Sequence, residues 1–559
     1  MHPIKVITVE KSRELEIKAN ENGSSFADMM EHAGRSVARV IRHRVGAKDT
    51  RVVILVGPGN NGGDGLVAAY YLHEMGARVT CYLWKRKVEN DANLQRIEAK
   101  NVPVVWADDD VDFKALHALV SSANVVVDAL LGVGVSRPIE GTLLQLLNTV
   151  QHCLAERRAA PGLAHTVPEM GERGIPLVVA VDCPTGLDCN TGALDPAALP
   201  ADITVTFAYP KIGLLRFPGA EAVGEMIVAD IGIPPEFASD VPLEMATVEQ
   251  IARWLPQRPR SAHKGTFGRA LIVAGSVNYV GAAALAGAAA VRIGTGLVTM
   301  ALPTPIQAAV AAHLAEATYL LLPHDLGVIT PEAVEILWER MDEYDALLLG
   351  PGLTQEKEAA AFVRAFLDLK SPERKGRIGF VSGMEEVTGL KHPVFPPLII
   401  DADGLNILAT IPRWWQALPA DTILTPHPGE MARLVGGETT AKQIQGDREG
   451  VAARMAAEWG VVLVLKGAFT VIAAPDGRLM VLPFANAGLA TAGSGDVLAG
   501  AIVGLRAQGM GPFEAAVAGA YLHGLAGELT RLELGDMGMA ASDLLLRLPM
   551  ALQRTRAYR

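Results

Sequence analysis

The chain runs to 559 residues, beyond the size at which one hydrophobic core keeps growing, so two or more domains are expected. Half of the residues are hydrophobic and only 5% are aromatic, with abundant Gly and Ala, a composition suited to a large α/β protein. The net charge of −11 is shared by both parts, 23 Lys/Arg against 30 Asp/Glu in residues 1–240 and 27 against 31 afterwards, which argues against a nucleic-acid partner held through phosphate neutralisation.

From the N-terminus, Met-His-Pro-Ile-Lys offers no signal-peptide core, and residues 8–45 are expected to be helical, with Leu15, Ile17, Met29, Met30, Ala33, Val37 and Val40 forming the apolar face. Short Val/Ile/Leu runs then alternate with amphipathic helices, at Val52–Val56, Val79–Trp84, Val125–Leu131, Leu177–Val181 and Ile203–Phe207. Such alternation predicts a parallel sheet covered on both faces. Gln151–Gly174, rich in Arg, Glu, Pro and Gly, is expected as a surface insertion, and Ile231–Glu236 as a strand end running into a linker.

A second alternating block starts near Met245, with runs at Ala270–Ala274, Leu297–Ala301, Ala346–Leu349, Leu398–Ile400, Thr422–Leu424, Val461–Leu465 and Val471–Ala474. Pro372–Pro397 reads as a second excursion. Cys81, Cys153, Cys183 and Cys189 are too few for a disulfide scaffold and lack paired zinc spacing. The longest apolar runs are broken by Arg292 or Lys466, short of a membrane span. A soluble cytoplasmic protein with no membrane partner is expected.

Three strand ends in the first block carry chemistry. Gly57, Gly59 and Gly62 satisfy G-x-G-x-x-G between a strand and a helix, a turn that can seat phosphates at a helix N-terminus. The acidic residue that would hold a ribose is missing, because Val79–Trp84 runs into Lys85-Arg86-Lys87. The oxygens of Asn60, Asn61 and Asp64 suit a weakly hydrated cation or an uncharged substrate group, or else serve the turn alone. Asp128, followed by Gly132 and Gly134, and Asp182 in Asp-Cys-Pro-Thr-Gly-Leu-Asp188 end two further strands. Ligands bind beyond the carboxyl ends of strands in open parallel sheets, so these loops are expected to meet at one pocket.

Together with Thr206-Phe-Ala-Tyr-Pro-Lys-Ile-Gly213, these motifs resemble the NAD(P)H-hydrate epimerase family over nearly all of residues 1–235. The resemblance implies a Rossmann-like domain that interconverts R and S hydrates of reduced nicotinamide cofactors and binds potassium. It implies Asn61, Asp128 and Thr185 as potassium ligands, the last a Thr where the family usually has Ser. Asn60, Asn61, Gly62, Gly63, Asp64, Gly132, Val133, Gly134, Val135, Ser136, Arg137, Pro138 and Asp182 would line the hydrate site. Epimerising a hydroxylated ring carbon needs a positioned acid–base group, and Asp182 is the candidate.

The second block has no G-x-x-x-x-G-K-[ST] sequence. Gly493-Ser-Gly-Asp496 instead offers backbone amides at a helix start with a carboxylate beside them, a set that can hold charge on a transferring phosphoryl group and take a proton from a hydroxyl. Lys466, Gly467 and Thr470 follow a strand and can hold nucleotide phosphate; His427 lies between two prolines; Gly352 ends a strand in a glycine turn. With His263–Gly268, Gly281-Ala-Ala and Asp401–Asn406, these motifs resemble the NAD(P)H-hydrate dehydratase family over roughly residues 245–550.

That resemblance implies a ribokinase-like α/β/α domain, over 245–559, that uses ADP with Mg2+ to phosphorylate the hydrate hydroxyl before phosphate leaves. Ala282, Gly352, His427 and Asp496 would contact the hydrate, with Asp496 as the base. Lys466, Gly467, Ala468, Phe469, Thr470 and Gly495 would contact the nucleotide. The family's usual Asn-Pro is Asn486-Ala487 here. The expected whole is a bifunctional repair enzyme of hydrated NADH and NADPH, assembled as a homo-oligomer. The rival expectation is a ribokinase-class small-molecule kinase whose N-terminal module binds ligand without catalysis.

Overall fold

The computed structural model describes residues 3–134, 137–158, 176–368 and 394–559. Val135, Ser136 and most of both expected insertions lie outside the described residues. The chain divides into two compact units, His2–Val241 and Pro242–Arg559.

In the first unit the stretch 8–45 is helical as expected, in two pieces, α1 (Val9–Glu21) and α2 (Phe26–Val45). Gly23, with φ of +101°, takes a left-handed conformation that stops the first, and the Ser25 hydroxyl accepts from Asp28 N–H to start the second. Seven strands follow: β1 (Arg51–Val56), β2 (Arg78–Leu83), β3 (Val104–Trp106), β4 (Val125–Ala129), β5 (Leu177–Val181), β6 (Ile203–Phe207) and β7 (Glu225–Ala229). They lie in the order β3-β2-β1-β4-β5-β6-β7, all parallel. Ile54 and Val56 pack into one apolar cluster and Val53 and Leu55 into another, so both faces are covered and the strands read as unbroken apolar runs.

The order reverses direction at β1, and there the loops after β1 and β4 leave the sheet side by side; such a switch point is where open α/β sheets hold ligands. The loop after β1 opens directly into α3 (Asn60–Glu74). Edge strands β3 and β7 carry no strong sequence signal, because half-buried edges need no continuous apolar run. The chain leaves the sheet at Ala229, and Pro235 starts a single 3-10 turn instead of ending a strand at Ile231.

The second unit contributes β8 (Leu243–Met245), β9 (Arg269–Val273), β10 (Leu297–Pro303), β11 (Thr318–Leu322), β12 (Ala346–Leu349), β13 (Leu398–Ile400), β14 (Ile423–Leu424), β15 (Val462–Leu465), β16 (Val471–Ala473) and β17 (Leu479–Val481). Their order is β8-β17-β16-β15-β14-β13-β12-β9-β10-β11. Pairing is parallel except across β15-β16-β17, which turn back on one another as antiparallel hairpins. Leu271 and Val273 are buried as completely as Ala270 and Ile272, so this sheet too lies between two helical layers, as an α/β/α domain requires.

One layer is built from α4 (Val280–Arg292), α7 (Ser494–Ala507) and α8 (Pro512–Leu534); α5 (Pro428–Val435) and α6 (Arg448–Trp459) come between them in sequence. The Ala/Gly composition has a direct structural use here. A Cβ on Gly500 would sit 2.2 Å from the Ala286 carbonyl oxygen, so α4 and α7 touch along their backbones. That contact seats the N-terminus of α7, which carries Gly493–Asp496, beside α4, which carries Ala282.

Candidate functional site

A cavity of about 530 Å3 opens in the first unit at the switch point. The β1 loop and α3 supply Gly59, Asn60, Asn61 and Asp64; the β4 loop supplies Gly132, Val133 and Gly134; Asp182 ends β5. Three strand-end loops therefore meet at one pocket. Gly57 makes this possible: a Cβ there would lie 1.7 Å from the Leu130 carbonyl oxygen, so only glycine lets the two loops touch. Arg86 folds back and donates from Nη1 to the carbonyls of Gly57 (3.0 Å) and Gly59 (2.7 Å), while its Nε donates to Asp91. The basic residue that stands where a ribose-binding acid was absent thus braces the glycine turn.

Behind the cavity wall, Asp128 is fully buried. Its Oδ1 accepts from the Thr185 hydroxyl (2.7 Å) and Leu130 N–H (3.2 Å), and its Oδ2 accepts from Thr185 N–H (2.8 Å). The Thr185 hydroxyl accepts from Leu131 N–H, and Asn61 Nδ2 donates to Leu131 O at 3.1 Å, which ties all three predicted cation ligands into one knot. Burial pushes Asp128 up to about 6, against the pull of these hydrogen bonds. Among the described residues no cationic side chain is paired with it. An all-oxygen donor set around a buried, unneutralised carboxylate fits a monovalent cation.

Asp182 sits at φ of +63°, a strained conformation for a residue with a side chain. Its Oδ1 accepts from Lys211 Nζ (2.5 Å), the Thr206 hydroxyl (3.1 Å) and Phe207 N–H (3.1 Å). Lys211 is itself buried to 1% exposure; burial pulls its ammonium down, but the Asp182 charge and hydrogen bond hold it above its ordinary value. Asp64 faces the same cavity. Burial, then the charges of Asp182 and Glu16, raise it well above the usual carboxylate range.

In the second unit Lys466, at the end of β15, is the hub. Its Nζ donates to Asp401 Oδ1 (2.8 Å) and lies 3.7 Å from Glu430 Oε2. Asp401 also accepts from the Thr425 hydroxyl at 2.8 Å. His427 caps α5 by accepting from Gly429 and Glu430 N–H at Nδ1, and burial, then the nearby Lys466 charge, lowers its pKa below the ordinary histidine value. Asp496 stands in the first turn of α7, where desolvation and then the Asp401 charge push it to about 7. A carboxylate poised there can remove a proton near neutrality. Gly352 closes the group, its would-be Cβ 2.9 Å from that of Ala282.

An adjoining cavity of about 200 Å3 is lined by Lys466, Gly467, Ala468, Thr470 and Gly495, with Leu482, Phe484 and Leu498 as apolar walls. Arg448, reaching from α6, donates to the carbonyls of Leu465 and Ala468 and so fixes the Lys466–Thr470 turn from behind.

Most of the residues singled out from sequence converge in these places. Phe469 does not line the cavity; its N–H donates to Phe484 O at 2.7 Å with φ of +51°. Gly62 and Gly63 pack behind the first cavity, against Gly57 and Met30, and Arg137 and Pro138 are exposed away from its lining. Sequence reasoning gave no site role to Arg13 and Glu16 on α1, to Met30 on α2, read only as part of an apolar face, or to Lys211, Asp401, Glu430 and Arg448. Lys211 lay within a quoted motif, and its placement five residues after a strand-end Thr was the available signal; the α1 and α2 residues carry none. Among the described residues no group of three or more His, Cys, Asp or Glu is arranged as a metal cage, and no helix is long and apolar enough to cross a membrane.

Comparison with known proteins agrees in extent. A family model described as NAD(P)H-hydrate dehydratase matches residues 270–550, and one described as YjeF-related protein N-terminus matches 26–213. The bifunctional NAD(P)H-hydrate repair enzyme Nnr of Moorella thermoacetica is 39% identical over 534 residues, covering 94% of this chain and 92% of that one. The Escherichia coli K12 protein of the same name is 31% identical over 525 residues, covering 93% and 88%. Among solved structures, the ADP/ATP-dependent NAD(P)H-hydrate dehydratase of Bacillus subtilis co-crystallised with ATP/Mg2+ aligns at 31% identity and a TM-score of 0.43, over 57% of this chain and all of that one.

Proposed function

This chain belongs to the family of bifunctional NAD(P)H-hydrate repair enzymes, and from that membership we propose how its two units divide the work. The protein repairs hydrated NADH and NADPH. Residues 1–235 epimerise the R and S hydrates at the cavity lined by Asn60, Asp64 and Asp182, and residues 245–559 dehydrate the S hydrate at the expense of ADP. The observation that carries the second half is Asp496, tuned to about 7 at the N-terminus of α7 beside the cavity of Lys466, Gly467 and Thr470.

In the dehydratase unit Asp496 takes the proton of the hydrate hydroxyl as that oxygen attacks the terminal phosphorus of the nucleotide. The backbone N–H groups at the start of α7 face the charge that develops, and Lys466 neutralises it from the other side. The ring nitrogen then expels phosphate, and loss of a neighbouring ring proton restores the dihydronicotinamide. Magnesium accompanies the nucleotide phosphates. In the epimerase unit Asn61, Asp128 and Thr185 would hold potassium, whose charge compensates the buried carboxylate and stiffens both loops of the cavity. The acidic balance of both halves supports small-molecule partners; a homo-oligomer in the cytoplasm belongs to the same reading.

Purified protein given an R/S hydrate mixture with ADP, magnesium and potassium is expected to regenerate the reduced-nicotinamide absorbance completely. Regeneration of only the S fraction would remove the epimerase assignment. Accumulation of a stable phosphorylated hydrate would replace repair with a simple kinase.

A further inference from the structure

Epimerisation needs a proton delivered as well as a proton removed, and Asp182 alone does one of these at a time. Its Oδ1 accepts from Lys211, Thr206 and Phe207, three donors that hold it as an accepting carboxylate oxygen paired with a buried ammonium. That is the setting of a base. A second carboxyl group faces the same cavity from another element: Asp64, in the first turn of α3, is 8% exposed, and no hydrogen bond is formed to its side chain among the described residues.

We propose that Asp64 is the acid partner of Asp182 in a two-carboxyl epimerase, an inference that rests on the epimerase reading above. The charged and titratable groups around Asp64 are Asp182, the buried Lys211 and Arg86, with Glu16 and Arg13 of α1 lining the same cavity. Two acids outweigh the cations here, because Lys211 is engaged by Asp182 and Arg86 by Asp91 and the glycine turn. Burial, then the charges of Asp182 and Glu16, favour the protonated form of Asp64, whereas Asp182 carries the ion pair with Lys211. Environments that push two neighbouring acids apart assign their roles.

The step balances as follows. Water adds to the dihydronicotinamide at the carbon next to the ring nitrogen, because that enamine carbon is the electrophilic one once the ring is protonated. Asp64 gives its proton to the carbinol oxygen; the C–O bond breaks with its electron pair on oxygen, which departs as water, and the nitrogen lone pair forms C=N. A water on the other ring face supplies the electron pair of the new C–O bond, the C=N π pair returns to nitrogen, and Asp182 takes the proton released. The carbon is inverted, Asp64 is a carboxylate and Asp182 an acid. Lys211 then favours return of the proton through cavity water to Asp64, which resets the site. The iminium cation forms between the carboxyl groups of Asp64 and Asp182, which with Glu16 outnumber Arg13, the one Lys or Arg among the described residues of the cavity lining.

The test is an epimer-exchange assay on the full chain, with dehydratase turnover of the pure S hydrate as internal control. Asp64→Asn should lower exchange kcat by about 100-fold or more with little change in KM, and leave dehydration as in wild type. Wild-type exchange should show an alkaline limb, as Asp64 loses its proton, that the residual activity of the variant lacks. Exchange in 18O-water should place one labelled oxygen on carbon per inversion, above the uncatalysed rate. Variant activity within tenfold of wild type, an alkaline limb that the variant retains, or inversion without label would each overturn the proposal. If the variant melts early, the label, read on wild type, still decides it. Wild-type protein with no exchange at all would instead bring down the epimerase reading and this with it.

Discussion

Asp496 is where the geometry makes its sharpest numerical claim. A carboxyl group carried from its ordinary 3.8 to about 7 has lost about 4 kcal/mol of preference for the ionised form. Because the base must be ionised to accept the hydroxyl proton, the dehydration rate should rise with pH and level off only above about 7. Roughly a tenth of the maximum is expected at pH 6 and about a hundredth at pH 5, whereas an ordinary aspartate would hold the rate flat to about pH 5. After burial, the strongest influence is the charge of Asp401, so Asp401→Asn should shift this limb to lower pH, the more so because Lys466 is then free to favour the Asp496 carboxylate. Asp496→Asn should cut turnover by about 10²–10⁴-fold with exchange of the epimers unaffected. The assay is single-turnover recovery of reduced-nicotinamide absorbance from S hydrate with saturating ADP and magnesium, at pH 5–8.5. A profile flat over that range, or a variant retaining a tenth of wild-type turnover, would refute the assignment of Asp496 as the base.

Three further outcomes are expected. Gly57→Ala forces a methyl group to 1.7 Å from the Leu130 carbonyl oxygen, so epimer exchange should be lost and the first unit should melt at a lower temperature while dehydration persists. Lys211→Met leaves Asp182 buried without its cation and should destabilise the first unit by about 3–5 kcal/mol, read as a lowered denaturation midpoint in urea. Potassium chloride should raise the melting temperature above that in lithium chloride of equal ionic strength, and Asp128→Asn should abolish the difference; an equal response in the variant would reject the proposed ligands.

The sequence announced the central strands of both sheets because each is buried on both faces and so must be a continuous apolar run. Leu177–Val181 and Ala346–Leu349 were located to the residue for that reason. Edge strands such as Val104–Trp106 and Glu225–Ala229 need one covered face at most and left too little pattern to find. The site divided along a similar line. Asn61, Asp128, Asp182, Lys466 and Asp496 lie in tight strand-end or helix-start turns, where glycine and proline betray a constrained backbone. Glu16 and Met30 reach the cavity from the faces of ordinary amphipathic helices, and Arg448 braces a loop from a helix whose sequence neighbours are unremarkable in charge. Periodicity alone gives such residues no mark, because their roles arise only when α1, α2 and α6 pack.

The hairpin between β15 and β16 has a consequence for how nucleotide choice can change in this architecture. Lys466 ends one strand and Thr470 precedes the next, so the turn proposed to face the nucleotide phosphates is the tip of two antiparallel neighbours and not a connection to a crossover helix. A change in length between these anchors leaves the parallel strand pairs untouched and falls on the bonds that Arg448 and Phe484 make to the turn. On the proposed reading, the nucleotide end of the site can therefore vary apart from α7 and the carboxylate it carries.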